Sequence, residues 1–333
     1  MQVSVPPIRY WLLVEALGKE ANDPLVKKTL TECKTFPPKV KLLKSLRKDG
    51  TWPISKARKA AEDAGPGPPV GWTYITMLRN LQLLEDLNTV RSEGYLTNAL
   101  KKILSWQTKE GYILGPHHDI FPLPQYNAYA LRNLYIFGYD DPRVKKLADW
   151  LLSIQRPDGG WVIPYLEDVR YMPEYRSMKI HNFMELVRKG ETPKSDPRGF
   201  KDVPSSIWTT LMVVRGLART KEYPRRPEIL KGADFFLDRF FKRNQNESHY
   251  RSFRNWTQLK YPPYFGSGLG ALYVLTILGY GPNDDRMEAP IRWLLDARHS
   301  DGFWWQSDRP HMQKDQWISE LAIEALARYS NNR

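Results

Sequence analysis

A short phrase recurs along this chain, and a repeat restricts the fold more than any single residue does. Its fullest form is VKKLADWLLSIQRPDGGW, residues 144–161. Val144, Leu147, Trp150, Leu151 and Ile154 fall at helical spacing and form one apolar stripe, while Lys145, Lys146 and Asp149 take the wet side. Pro157, Asp158, Gly159 and Gly160 then stop the helix, and Trp161 follows as a large apolar plug. ALKKILSWQTKEGYI (99–113) repeats the order aromatic, Gln, Gly. APIRWLLDARHSDGFWW (289–305) keeps the aromatic, the Asp-Gly and the terminal aromatics, and KVKLLKSLRKDGTW (39–52) keeps a basic helix ending in Asp-Gly-x-Trp. Residues 230–250 hold the most degraded copy.

The copies lie roughly 50–60 residues apart once an insertion after residue 161 is set aside, which is room for two helices per unit. A second kind of segment sits between them, at 72–87, 126–138, 207–218, 265–279 and 317–329. Several of these are apolar almost all round, and a helix without a polar face is buried on every side. The expected fold is therefore all-α: a ring of buried inner helices enclosed by a ring of amphipathic outer ones, an α/α toroid. It is expected to be one domain over 1–333, with an N-terminal helical segment at 1–35 and an insertion at 162–200 over the barrel mouth.

The pattern basic–small–x–x–aromatic–Leu–x–x–x–Gln–x–x–x–Gly–x–Trp resembles the QW repeat of the squalene and oxidosqualene cyclases, whose toroid is shared by protein prenyltransferase β subunits. Residues 144–161 match it nearly position for position, and the resemblance runs from about 39 to 330. It implies a fold more firmly than an activity. The cyclases protonate their substrate through the middle Asp of a D-x-D-D motif. The corresponding stretch here reads Asp202-Val203-Pro204-Ser205-Ser206, so only the first acid remains. The prenyltransferases hold zinc with an Asp, a Cys and a His; the His position resembles Ile318 here, and the single Cys33 matches nothing. The resemblance thus implies neither of the usual sites, and no metal or cofactor is expected.

In a ring of helix hairpins the N-termini of the inner helices converge at one end, with unpaired N–H groups and positive dipole ends. The hollow they enclose is the expected ligand site. Trp72, Tyr74, Gln125, Tyr126, Asn127, Ser205, Trp208, Tyr264, Phe265 and Trp317 enter these helices and are the candidate ligand-binding residues. Their aromatic faces suit a carbocation or a planar ligand as well as they suit a packed centre. Asp202, Asp315 and Glu320 are the candidate acids, with helix capping the alternative for the first two. His117, His118 and Asp119 form a polar loop before an inner helix rather than a metal site, since adjacent histidines point apart.

The net charge of +13 suits an anionic partner, whether nucleic acid, lipid headgroup or diphosphate, and also simple solubility. One stretch mixes Arg239, Lys242, Arg243, Arg251, Arg254 and Lys260 with Phe240, Phe241, Tyr250, Phe253 and Trp256. That is the composition of a single-strand nucleic-acid binder, and equally of a solvated face with its rings turned inward. No apolar run reaches the roughly 18 residues of a membrane span. The start lacks a basic leader with a cleavage site, and one cysteine fits a reducing compartment, so a cytoplasmic protein is expected. Three functions remain open: an apolar, isoprenoid-type ligand in the central cavity, with or without catalysis; a polyanion or nucleic-acid binder; and a non-catalytic scaffold for a protein partner.

Overall fold

The computed structural model describes residues 4–63, 71–114, 122–162, 204–220, 222–244, 250, 252–262 and 266–332, with isolated positions between 173 and 191. The protein is all-α among these residues. In chain order the helices are α1 (Pro6–Trp11, continued by a π-helical turn, Leu12–Ala16), α2 (Pro24–Lys34), α3 (Pro37–Lys44), α4 (Lys56–Asp63), α5 (Gly71–Asp86), α6 (Leu96–Leu104), α7 (Pro124–Ile136) and α8 (Pro142–Ser153). Then follow α9 (Ile207–Ala218), α10 (Pro227–Leu237), α11 (Phe253–Thr257), α12 (Gly268–Ile277), α13 (Glu288–Asp296) and α14 (Met312–Asn331). Most of the insertion at 162–200 lies outside the described residues.

The repeat is real at the level of individual hydrogen bonds. In four copies the backbone closes in the same way: Arg47 N to Thr51 O, Thr108 N to Tyr112 O, Arg156 N to Gly160 O and His299 N to Phe303 O, all at 2.8–2.9 Å. In each, the glycine N–H returns to the carbonyl three residues back, and that glycine (50, 111, 159 or 302) has φ between +85° and +103°. A side chain is strained at such an angle, which is why the glycine recurs where its neighbours drift. The degraded copy departs here: Phe241 takes the positive φ instead, at 62°.

The conserved letters have assigned tasks. Gln107 Nε2 donates to Gly111 O at 2.6 Å and to Arg143 O, in the first turn of α8, at 2.9 Å. Gln155 does the same one repeat on, to Gly159 O and to Glu228 O of α10, both at 2.7 Å. Each glutamine therefore ties its own turn to the amphipathic helix of the next copy. The tryptophans lock the turn from below. Trp161 Nε1 donates to Leu151 O at 2.7 Å and Trp304 Nε1 to Leu294 O at 2.6 Å, and both rings are buried.

The described residues gather into two compact units: one of 45–81 and 94–235, the other of 1–44, 82–93 and 236–333. In the first, α7 lies between α5 and α9. Asn133 Nδ2 donates to Leu78 O of α5 at 3.1 Å. On the other side, a Cβ on Gly216 of α9 would stand 2.5 Å from Ala128 O. Only glycine allows that approach, so Gly216→Ala is expected to cost about 1–3 kcal/mol in a urea melt, an overpacking penalty. Helix α9 is buried from Thr209 to Ala218, as its lack of a polar face requires. The amphipathic helices α6, α8 and α10 bury one face each. Helix α8 starts where Asp141 accepts the Arg143 N–H at 2.9 Å and Pro142 presets the first turn.

In the second unit, α12 packs against α14, and α14 also packs against α1 and its π-turn. Val5 N donates to Gln316 Oε1 at 3.4 Å, and Arg328 of α14 is paired with Glu15 of the π-turn. The N-terminal segment thus packs against α14. Lys39, the first residue of the basic copy at 39–52, is also internal: it is 1% exposed, with its ammonium on Glu93 at 2.9 Å and Asn88 O at 2.7 Å. Cys33 is buried, and burial pushes its thiol up to about 11, so it stays protonated and unreactive at neutral pH.

Candidate functional site

Several residues expected at the ligand site carry structural bonds. Asn127 is fully buried. Its Oδ1 takes the Ile113 N–H at 2.7 Å, and its Nδ2 donates to Ile113 O at 2.9 Å and Leu123 O at 3.0 Å. Thr210 and Ser319 do the same work in later repeats, accepting the Trp161 and Trp304 N–H groups, each at 2.9 Å. Asn127→Ala is expected to lower stability by about 1–3 kcal/mol, because it strands both backbone groups of Ile113 away from water. Circular-dichroism melts would register this, and an unchanged midpoint would contradict the assignment.

Ser205 donates its hydroxyl to Asp158 at 2.7 Å, and its N–H goes to the other carboxylate oxygen at 2.9 Å. Tyr74 is buried, its hydroxyl 3.3 Å from Tyr126 O and its ring edge-on to Trp106, and burial pushes the phenol up. Trp72 lies under the Arg58 guanidinium at 4.8 Å. Tyr126 and Trp208 are half-buried on α7 and α9. Gln125 is 3% exposed, and its Oε1 has no hydrogen-bond partner among the described residues. Tyr264, Phe265, Asp202, His117, His118 and Asp119 lie outside the described residues.

Of the candidate acids, Asp315 is a tether. Buried in the first turn of α14, it accepts the Gln306 N–H at 2.9 Å and the His311 N–H, pinning the loop that leads into the helix. Glu320 is different. It sits in mid-helix, buried, with its side chain hydrogen-bonded to the Glu324 carboxyl one turn on. Burial first, then the Glu324 charge and the bond to it, and then Asp86, push Glu320 well above the ordinary carboxyl range. It is the carboxyl whose surroundings most favour the protonated form.

Its surroundings combine aromatic faces with further acids. Trp317, Glu320, Glu324 and Arg328 share one stripe of α14, at steps of three and four residues. Tyr261 stacks on Trp317, with centroids 5.4 Å apart and planes 14° from parallel, and gives its hydroxyl to Asp86 at 2.6 Å. Trp11, at the start of the π-turn, donates its indole N–H to the Asp86 carbonyl at 2.9 Å. Arg328 Nη2 bonds Glu324 Oε2 at 3.0 Å, and the guanidinium lies 5.0 Å over the Tyr273 ring of α12. Of this group, Glu320 and Trp317 are among the residues the sequence suggests, and Glu324, Arg328, Asp86 and Tyr261 are not. The spacing Glu320, Glu324, Arg328 was a usable signal; the pairing of Tyr261 with Asp86, 175 residues away, had none.

The basic–aromatic stretch separates into two parts. Lys242, Arg243 and Arg254 are exposed, and Arg239 and Lys260 are half-buried; Arg251 lies outside the described residues. Phe240, Tyr250 and Trp256 are buried against one another, with Trp256 4.4 Å from each of the other two rings. Those three rings are core and are not available to stack on bases, whereas Phe253 is 58% exposed. Among the described residues no cluster of His, Cys, Asp and Glu is arranged to hold a metal ion, and no helix is long and apolar enough to cross a membrane.

No family model matches the chain. Over 84 residues it is 30% identical to a squalene–hopene cyclase of Bradyrhizobium diazoefficiens; the match takes in 25% of this chain and 13% of that enzyme. The chain therefore spans a small part of the length of that relative. The similarity is to a terpenoid cyclase-like protein, and it is local.

Proposed function

We propose that the helix pairs form an α/α toroid, and that the protein takes an isoprenoid or similar apolar ligand, with or without an anionic head, in its central cavity. Glu320 is the acid of that site. The observation that carries this reading is a buried carboxyl, hydrogen-bonded to Glu324 and pushed well above its ordinary range, one helical turn from the Trp317 ring on which Tyr261 stacks. Such an acid can hand a proton to an alkene, and the neighbouring ring faces then stabilise the cation that results. The local similarity to a squalene–hopene cyclase and the four matching repeat turns support the same reading. It does without a D-x-D-D acid and without zinc. The cytoplasmic, single-domain character expected from the sequence belongs to this proposal.

Thermal melts with farnesyl diphosphate, geranylgeranyl diphosphate and squalene test it. A ligand present at a hundred times its Kd is expected to add about 2.7 kcal/mol of stability. Glu320→Gln is expected to keep that shift and lose any conversion of the ligand. No shift with any of the three would overturn the ligand class, and conversion undiminished in Glu320→Gln would overturn the acid. The exposed Lys242, Arg243 and Arg254 leave polyanion binding as a second reading. It predicts oligonucleotide affinity that falls steeply with salt, against no measurable binding if these residues only solvate the surface.

A further inference from the structure

Two carboxyl groups that hydrogen-bond each other hold a proton between them, and the surroundings decide which one carries it. Here the surroundings are unequal. Glu324 accepts from Arg328 at 3.0 Å, so it is the acceptor toward a fixed cation, whereas no cation among the described residues bonds Glu320 directly. The charged and titratable groups facing the pair are Arg328 on α14 itself, Asp86 from the end of α5, Glu15 from the π-turn, Tyr273 from α12 and Tyr261 through its bond to Asp86. Arg328 is the one cation in this set. It is held from two further sides, by the Glu15 carboxylate and by the face of the Tyr273 ring.

We propose that Arg328 is a positioning residue that fixes the pair's proton on Glu320, and that Glu15 on the π-turn holds Arg328 in the orientation that does so. This rests on Glu320 being the acid of the proposed site. The placement has a consequence for chemistry. Glu320 is one helical turn from Trp317 and Glu324 is two, so a proton held on Glu324 is a turn farther from the aromatic stack that would face the ligand. Holding Glu324 ionised thus keeps the donor next to the place where a cation would form. The π-turn, a rare element that recurs at functional sites, supplies the Glu15 anchor, and Trp11, the last residue of α1 before it, makes the contact to Asp86.

The test is a pH titration of the full-length protein labelled with carboxyl-carbon-13 glutamate and read by NMR. The two resonances are assigned by Glu320→Gln and Glu324→Gln. In the unaltered protein Glu320 is expected to titrate last and Glu324 early. Arg328→Lys, which keeps the charge, is expected to preserve that order. Arg328→Met is expected to close the gap or reverse it, and Glu15→Gln to narrow it; Arg328→Gln serves the same purpose if the methionine variant does not fold. A general loss of packing would broaden many resonances without exchanging these two. If Glu320 titrates last and the order is unchanged without the guanidinium, the role of Arg328 is overturned while the acid stands. If Glu320 titrates with the other glutamates in the unaltered protein, the acid assignment itself fails.

Discussion

Replacing Trp161 by alanine is expected to destabilise the protein by about 3–5 kcal/mol, enough to remove much of the stability of an ordinary domain. The ring is fully buried and ends the fullest copy of the repeat. It packs where Gly232 of α10 has no side chain: a Cβ there would lie 2.8 Å from Trp161 Cζ3 and 2.8 Å from Val214 Cγ2 of α9. The same residue therefore fills the space between α10 and α9. Its indole also satisfies the Leu151 carbonyl at the end of α8, and its peptide group bonds both Thr210 and Ser206 at the start of α9. The expected measurement is a large drop in the urea midpoint at unchanged m-value. Trp161→Phe, which keeps most of the volume and loses the indole donor, should recover part of it. A Trp161→Ala loss below about 1 kcal/mol would mean that the repeat turn is decorative.

The second large effect is on how stability depends on pH. Folded Glu320 holds a proton that the unfolded chain releases in the ordinary carboxyl range. Below that range both states are protonated, and the group contributes no slope. Above it the unfolded chain has lost the proton and the folded one has not, so raising the pH favours unfolding until folded Glu320 also ionises. The expected result is a stability that declines as the pH rises above the ordinary carboxyl range, by about 1.4 kcal/mol for each tenfold difference in proton affinity between the two states. Glu320→Gln keeps the shape, cannot ionise, and should flatten this limb while raising stability at its alkaline end. Urea melts at a series of pH values would show it. Parallel profiles for the two proteins would mean that Glu320 is solvated in the folded state.

These two positions were legible in the sequence to different degrees. Trp161 could be read directly: an amphipathic stripe, a Pro-Asp-Gly-Gly stop and a large ring are a local pattern, and turn geometry is decided by neighbours in the chain. The second kind of segment was legible as helix, and α9 and α12 as buried ones, because a helix without a polar face has to be buried. They were found with boundaries a few residues off, α12 beginning at Gly268 and α14 starting earlier, at Met312. The candidate site was only half legible. The positions entering the inner helices looked alike in the sequence, all aromatics and small polar groups. In the folded chain Asn127 and Ser205 hold the repeat turns, and Asp315 tethers a loop.

By itself, then, the sequence determined that the chain is helical, that it repeats, and which residues close each turn, because those outcomes depend on interactions a few residues apart. Tertiary structure decided what each polar group in the interior is for. Whether a buried side chain is a strut or an acid depends on what stands opposite it. For Glu320 the opposing groups come from α14 itself, from the end of α5 and, through Arg328, from the N-terminal π-turn, segments that meet only when the chain has folded. Burial then makes the difference chemical: away from water a carboxyl facing another carboxyl keeps its proton, and one facing a guanidinium gives it up.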